Sequence, residues 1–236
     1  KKIKKVAQII KKYKSKNKKI IVVSSAMSGV TNEYIRKSKQ VCKNFDKSEY
    51  DVLLSSGEQV ACSLLAGALL NLGIKSRSWL SWQVPIFTEG DHKSSKIKNI
   101  NKKEIIKYVN SGGIPVITGF QGVSNYKRIT TLGRGGSDAT AISIAKFFNA
   151  KQCIICTDVE GVYSTDPNLN YKAKKINKIS FEEMLEMASL GAKVMQPTSI
   201  QDAMLNDIDI NVRSTFSKKK GTIISDSQSL KNKKVI

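Results

Sequence analysis

Apolar residues along this 236-residue chain follow two rhythms. Ile3, Val6, Ala7 and Ile10 recur three and four apart among lysines, a spacing that predicts an amphipathic helix over 1–14. IIVVSS at 20–25 is instead an unbroken β-branched run, as in a strand buried on both faces. AMSGVTN follows it, and a polar helix is expected to about residue 43. GEQVACSLLAGALLNL (57–72) is apolar around most of a helical circumference, which predicts a buried helix ending at Gly73. Ser56 and Gln59 match a capping box at its start.

Further along, the pattern predicts a strand from about Ile74 to Leu80, a lysine-rich loop and a helix near 102–110. IPVITG (114–119) reads as another buried strand, and a hairpin near 121–131 leads into LGRGGSDATAISIAKFF, a glycine motif opening a helix. CIICT (153–157) is a further strand, followed by a loop containing Asp166-Pro167. FEEMLEMASL (181–190) predicts a helix with Ser180 as its cap and Glu183 closing a capping box. DINVRS is expected to be the last core strand. Short buried strands alternating with helices indicate an α/β fold with a largely parallel sheet.

Chemistry gathers at the strand ends. Three of the apolar runs finish in small or polar residues: Ser24-Ser25, Thr118-Gly119 and Thr157-Asp158. In open α/β sheets, ligands bind beyond the carboxyl ends of the strands. The Gly133-Arg134-Gly135-Gly136-Ser137-Asp138 stretch adds backbone N–H groups at a helix start, which favour an anion, and a guanidinium suited to carboxylate or phosphate. Taken alone, the same stretch also fits a glycine turn with Ser137 or Asp138 as an ordinary cap.

Composition narrows the alternatives. The formal net charge is +21, from 40 basic and 19 acidic residues. The lysines crowd 1–19, 93–107, 172–178 and the tail from 218, and thin out inside the glycine motifs. No stretch interleaves aromatic and basic residues as a single-strand binder does, so the charge reads as bias on solvent faces and no nucleic-acid partner is expected. No apolar run reads as long enough to span a membrane, and none is expected to. Cys42, Cys62, Cys153 and Cys156 lack a companion cluster for zinc and read as buried free thiols of a reducing cytoplasm. His92, the only histidine, reads as solvent-exposed, Trp79 and Trp82 as packing, and Met184, Met187 and Met195 as core.

VVSSAMSGVTN, LLSSGEQVACSLLAGAL, PVITGFQG, ITTLGRGGSDATA, CTDVEGVYSTDP and SFEEMLEMASLGAKV occur in this order. Together they make the chain resemble the catalytic domain of the aspartate kinases, within the amino-acid kinase family. The resemblance implies a three-layer αβα sandwich with a largely parallel central sheet. It places a catalytic domain over 1–225, with an aspartate-binding lobe to about 120, a nucleotide-binding lobe from about 121, and a tail or linker over 226–236. It implies transfer of the ATP γ-phosphate to the β-carboxylate of L-aspartate, with Mg2+, in a cytoplasmic homo-oligomer. Carried over by motif, Ser25, Thr31, Glu58, Arg134 and Ser137 are substrate-binding residues, Glu58 taking the amino group and Arg134 a carboxylate. Asp138 orients cationic groups at the phosphates, and Lys193 meets them; both are the catalytic candidates. Thr157, Asp158, Tyr163, Lys193 and Val194 line the nucleotide pocket. No protein metal site is implied. A carboxylate acceptor is ionised at neutral pH, so the absence of a histidine or glutamate base is no objection.

The chain also departs from the family pattern. A first strand and a Lys-Phe-Gly-Gly-Thr-Ser-Val loop are expected ahead of the first helix, and regulatory ACT domains beyond the last strand; neither is matched here, so a fragment is expected. Asn168 stands where an arginine is common, and Met195-Gln196-Pro197-Thr198 replaces Leu-His-Pro-Arg. The alternative to an enzyme is a non-catalytic binding or regulatory subunit with the same fold.

Overall fold

The computed structural model describes residues 1–16, 18–167, 169–192 and 194–226. The chain forms two compact units, Lys1–Thr140 and Ala141–Ile236.

In the first unit, α1 (Lys2–Lys14) precedes β1 (Val22–Ser24), α2 (Val30–Val41) and the long α3 (Lys47–Leu70). β2 (Ser76–Trp79), β3 (Ile86–Glu89), β4 (Lys96–Ile100), α4 (Lys103–Asn110) and β5 (Ile114–Thr118) follow. β6 (Gln121–Val123) and β7 (Ile129–Thr131) then lead into α5 (Gly136–Phe147), within which the boundary falls. β1, β5 and β2 form a parallel sheet with β5 in the middle, and all five β5 residues are buried. Residues alternate between faces along a strand. Ile114 and Val116 accordingly join Ala7 and Ile10 of α1 and Cys62, Leu65, Ala66 and Leu69 of α3 in one core. Trp79, registered with Ile117 and so on the opposite face, packs edge-on against Tyr108 of α4 with ring centroids 5.7 Å apart. A second sheet, β4-β3-β6-β7, pairs β3 with β6 in parallel and is otherwise antiparallel.

In the second unit, β8 (Cys153–Thr157), β9 (Lys178–Ser180), α6 (Phe181–Ser189), α7 (Pro197–Leu205), β10 (Ile210–Ser214) and β11 (Thr222–Ser225) follow in order. The sheet order is β8-β10-β11-β9, with β10–β11 antiparallel and the outer pairs parallel. Ile155, Phe181, Met184, Met195, Ile200, Ile210, Val212 and Ile224 form its core, with Met187 against it. Ser180 caps α6 through the expected box: its Oγ accepts from Glu183 N at 3.1 Å, and Glu183 Oε2 accepts from Ser180 N at 2.9 Å.

The α/β class and the parallel pairing agree with the sequence pattern, and several local expectations are corrected. α3 starts at Lys47 rather than near residue 57, because Asp46 caps it by accepting from Ser48 N and Glu49 N. Ser56 therefore lies inside the helix and donates to Leu53 O rather than forming a box with Gln59. At 24 residues α3 is also long and apolar enough to cross a membrane, contrary to expectation. Its buried stripe, Asp51, Leu54, Ser55, Glu58, Ala61, Cys62, Leu65 and Leu69, makes it the core helix of this unit. β3, β4, β9 and α7 were not expected, and β11 follows the strand expected to be last. Two of the four thiols, Cys42 and Cys156, are exposed rather than buried; Cys156 lies three residues past buried Cys153, on the other face of β8. Trp82 is 54% exposed rather than packed.

Candidate active site

The first unit's candidate site lies at the carboxyl ends of β1 and β5. Val23 and Ser24 are registered with Ile117 and Thr118, and Gly119 N donates to Ser24 O at 2.9 Å. The chain leaving β1 turns at Gly29, whose φ of +86° suits glycine, and enters α2. α3 approaches this turn closely. A Cβ on Gly57 would stand 3.1 Å from Ala26 Cβ and 3.2 Å from Val30 Cγ1. One residue on, Glu58 is 3% exposed and its Oε1 accepts from Ala26 N at 3.1 Å. Its Oε2 is buried without a hydrogen-bond partner among the described residues, as is Thr118 Oγ1 at the end of β5. Burial pushes the Glu58 carboxyl up to about 7, against the smaller opposing effect of the Ala26 bond. A buried, half-satisfied carboxylate is costly unless a cation or donor completes it.

The glycine motif reaches the same strand ends. A Cβ on Gly119 would stand 2.9 Å from Ser137 Oγ and 3.0 Å from Val23 Cγ1, so glycine there lets the first turn of α5 lie against β1 and β5. Gly136 has Phe120 Cδ2 at 2.8 Å from its would-be Cβ, and Phe120 N donates to Thr140 Oγ1 at 3.1 Å. Asp138 stands in the first turn of α5, and burial pushes its carboxyl up to about 6. Arg134 is exposed on the loop before the helix and has no carboxylate partner among the described residues. Ser25 is exposed just past β1, and Thr31 lies half-buried in the first turn of α2. Glu58, the 25–31 segment, Ser137 and Asp138 are thus gathered at one end of one sheet.

In the second unit, β8 ends at Thr157, whose carbonyl accepts from Thr215 N at 2.8 Å, and whose Oγ1 donates to Asp158 Oδ1 at 3.0 Å. Tyr163 donates its hydroxyl to Glu160 Oε2 at 3.3 Å, and Lys219 Nζ donates to the same oxygen at 2.9 Å. The Lys219 hydrogen bond, first, holds Glu160 below its ordinary value. Gly161, at φ +150°, packs on Thr222 Oγ1. Val194 is partly buried against the core of this unit, so it contributes shape rather than a polar contact. Lys193 and Asn168 lie outside the described residues.

Three features of the first unit escaped the sequence pattern. Thr118 and Gly119 were visible only as a strand end. Asp51 falls on the buried stripe of α3 seven residues before Glu58, a polar residue at core spacing that could have been noticed. His92 is not solvent-exposed as expected: its Nδ1 lies 2.6 Å from Asp51 Oδ2. A cleft of about 610 Å3 at the α2–α3 turn is lined by Lys39, Lys43, Asp46, Lys47, Tyr50 and Lys93. No group of three or more His, Cys, Asp or Glu side chains could hold a metal among the described residues.

Residues 1–214 match the amino acid kinase family. Aspartokinase of Rickettsia felis is 48% identical over 227 residues, 94% of this chain and 57% of the relative. Aspartokinase of Geobacillus stearothermophilus is 41% identical over 221 residues, 94% of this chain and 54% of the relative. The chain thus spans little more than half the length of these curated relatives. Among solved structures, aspartate kinase from Synechocystis aligns with a TM-score of 0.83 at 38% identity, over 95% of this chain and 37% of the other. E. coli aspartokinase III, solved in complex with aspartate and ADP, gives 0.83 at 25% identity, over 95% of this chain and 61% of the other. Uridylate kinase from Archaeoglobus fulgidus, at 20% identity and a TM-score of 0.66 over 95% of this chain and 92% of the other, shares the fold. The chain belongs to the amino acid kinase family.

Proposed function

We propose that the protein is an aspartate kinase: it transfers the γ-phosphate of Mg-ATP to the β-carboxylate of L-aspartate, giving 4-phospho-L-aspartate and ADP. That is the entry step to lysine, threonine and methionine synthesis, a cytoplasmic activity, carried by a homo-oligomer. The observation that carries the reading is Glu58, a buried carboxylate with one oxygen held by Ala26 N and the other unpartnered. Such an oxygen suits an ammonium group, which no phosphate or uracil acceptor brings. The aspartokinase names of relatives 41–48% identical support the same acceptor.

In this reading Glu58 takes the amino group of aspartate and Arg134 clamps a carboxylate with its planar fork. Ser25, Thr31 and Ser137 complete the acceptor's hydrogen bonds. The acceptor carboxylate arrives ionised, so no residue need remove a proton. What remains is to bring two anions together and stabilise charge on the moving phosphoryl group. The α5 N-terminus supplies partial positive charge, and Asp138 holds cationic groups in line rather than acting as a base. Thr157, Asp158, Tyr163 and Val194 line the nucleotide side, with Lys193 on the phosphates. Mg2+ enters with the nucleotide as part of the substrate.

The test is ADP release by the full-length protein with Mg-ATP. Release dependent on L-aspartate, and not on L-glutamate, is the expected result. Release that any amino acid supports equally sinks the aspartate reading, and no release with any of them leaves a non-catalytic member of the family.

A further inference from the structure

Asp51 is fully buried in α3, yet it meets donors from outside that helix. Its Oδ2 accepts from Lys93 N at 3.2 Å and Thr131 N at 3.1 Å, and lies 2.6 Å from His92 Nδ1. Its Oδ1 accepts from Thr131 Oγ1 at 2.6 Å. A buried carboxylate is retained at a cost that only such full satisfaction offsets. An apolar side chain at that place on the α3 stripe would fill the space without needing partners.

Both segments that Asp51 grips lead to the Arg134 loop. Thr131 ends β7 one residue before Leu132, and Leu132 N donates to Phe120 O at 2.9 Å. Ser95 N donates to Thr131 O at 3.0 Å, closing the 91–95 loop onto the same strand end. Gly133, at φ +77°, passes so close to that loop that a Cβ would stand 3.0 Å from Lys93 O. Lys93 and Phe120 themselves hold φ values of +72° and +67°, conformations that non-glycine residues keep only where surroundings dictate them. The loop is therefore pinned on one side by the Asp51 grip and on the other by Phe120. Arg134 is exposed and has no carboxylate partner among the described residues, so the backbone beneath it sets where its guanidinium stands.

We infer that Asp51 is a positioning residue for the Arg134 loop: from inside α3, through Thr131 and Lys93, it fixes the height at which Arg134 meets the acceptor's carboxylate. The inference rests on the aspartate kinase reading and deepens it, because recognition of the acceptor then depends on a residue that never touches it. Asparagine at this position keeps the shape and one acceptor oxygen but removes the charge and replaces the second acceptor by an NH2 group, which weakens the grip. Misplacement of a binding group by about 1 Å can cost up to about a hundredfold in rate.

Steady-state kinetics of the full-length protein, with thermal melting alongside, tests this. Asp51→Asn is expected to raise the KM for L-aspartate about tenfold, with the KM for Mg-ATP changed less than about twofold and kcat lowered less than the aspartate KM is raised. Thr131→Val removes one donor at constant shape and is expected to shift the aspartate KM the same way by a smaller factor; Thr131→Ser, which keeps the hydroxyl, restores it. The threonine pair carries the test should Asp51→Asn fail to fold. An unchanged aspartate KM in folded variants overturns the inference, as does a parallel loss in both KM values and kcat that tracks melting temperature. Wild-type protein without aspartate-dependent turnover instead overturns the kinase reading, and this inference with it.

Discussion

Glu58 concentrates the chemistry of the proposed acceptor site in one side chain. Burial raises its carboxyl from an ordinary 4.5 to about 7, so near neutrality the acid and the carboxylate are both populated in the folded protein, and the acid prevails as pH falls. The folded state therefore binds more protons than the unfolded chain between these values. This group's contribution to stability is present below about pH 4.5 and is lost as pH rises through about 7, an effect on the order of 1–3 kcal/mol. Glu58→Gln is expected to flatten that part of the stability profile, measured by denaturant unfolding across pH 4–8. An ammonium ligand requires the ionised form, so the aspartate KM of the wild type should rise as pH falls below about 7. The glutamine variant should show a high KM that does not follow pH over that range. Asp138→Ala is expected to lower kcat more than it raises the aspartate KM, whereas Arg134→Ala should do the reverse, because one residue serves the phosphoryl group and the other the acceptor. Wild-type turnover by Asp138→Ala would remove Asp138 from the mechanism.

The elements that present these residues depend on close backbone approach at two glycines of different tolerance. Gly57 lies within α3 and faces side-chain atoms of Ala26 and Val30 at 3.1 and 3.2 Å from its would-be Cβ. Gly57→Ala gains about 1 kcal/mol in helix propensity and loses a similar amount to crowding, so its melting temperature should stay near wild type. Gly119 faces Ser137 and Val23 at 2.9–3.0 Å on a strand end with no helix propensity to gain. Gly119→Ala should cost about 1–3 kcal/mol and raise the aspartate KM by displacing Ser137. In the second unit, Ser180→Ala removes the Oγ acceptor of the α6 capping box while leaving the backbone bond to Glu183 Oε2, and should cost about 1 kcal/mol in denaturant unfolding. Legibility of these elements in the sequence followed the strength of their local signals. α1, β5, β8 and α6 have unbroken periodicity or a cap, and fell where the pattern placed them. The start of α3 was misplaced because its first turn, KSEYD, is largely polar and Asp46 acts through a side chain that no periodicity reveals. β3, β4, β9 and β11 are three to five residues long and take their identity from partners distant in sequence. Among candidate site residues, those in the glycine motif and Glu58 could be named from sequence. Asp51 showed only as a polar residue at core spacing, and its partnership with His92 could not be read, because the pairing joins positions 41 apart.

For the molecule as a whole, the net charge of +21 bears on anionic substrates through the field it makes in solution. Exposed charges are screened within about 10 Å at 0.1 M salt. Raising ionic strength should therefore raise the KM values for aspartate and Mg-ATP more than it lowers kcat, in steady-state assays at fixed pH. A nucleic-acid binder would instead show DNA or RNA affinity that falls steeply with salt and is not competed by ATP with aspartate, a result that would contradict the reading of the charge as bias on solvent faces. The central claim is that an acyl phosphate forms on aspartate. The most direct measurement is hydroxylamine trapping with the full-length protein, Mg-ATP and L-aspartate, with L-glutamate as control. Hydroxylamine attacks the acyl carbon and releases phosphate, leaving a hydroxamate. The account predicts aspartyl β-hydroxamate in an amount matching the ADP released, and none with glutamate. ADP released without hydroxamate, or hydroxamate from glutamate as readily as from aspartate, would contradict it.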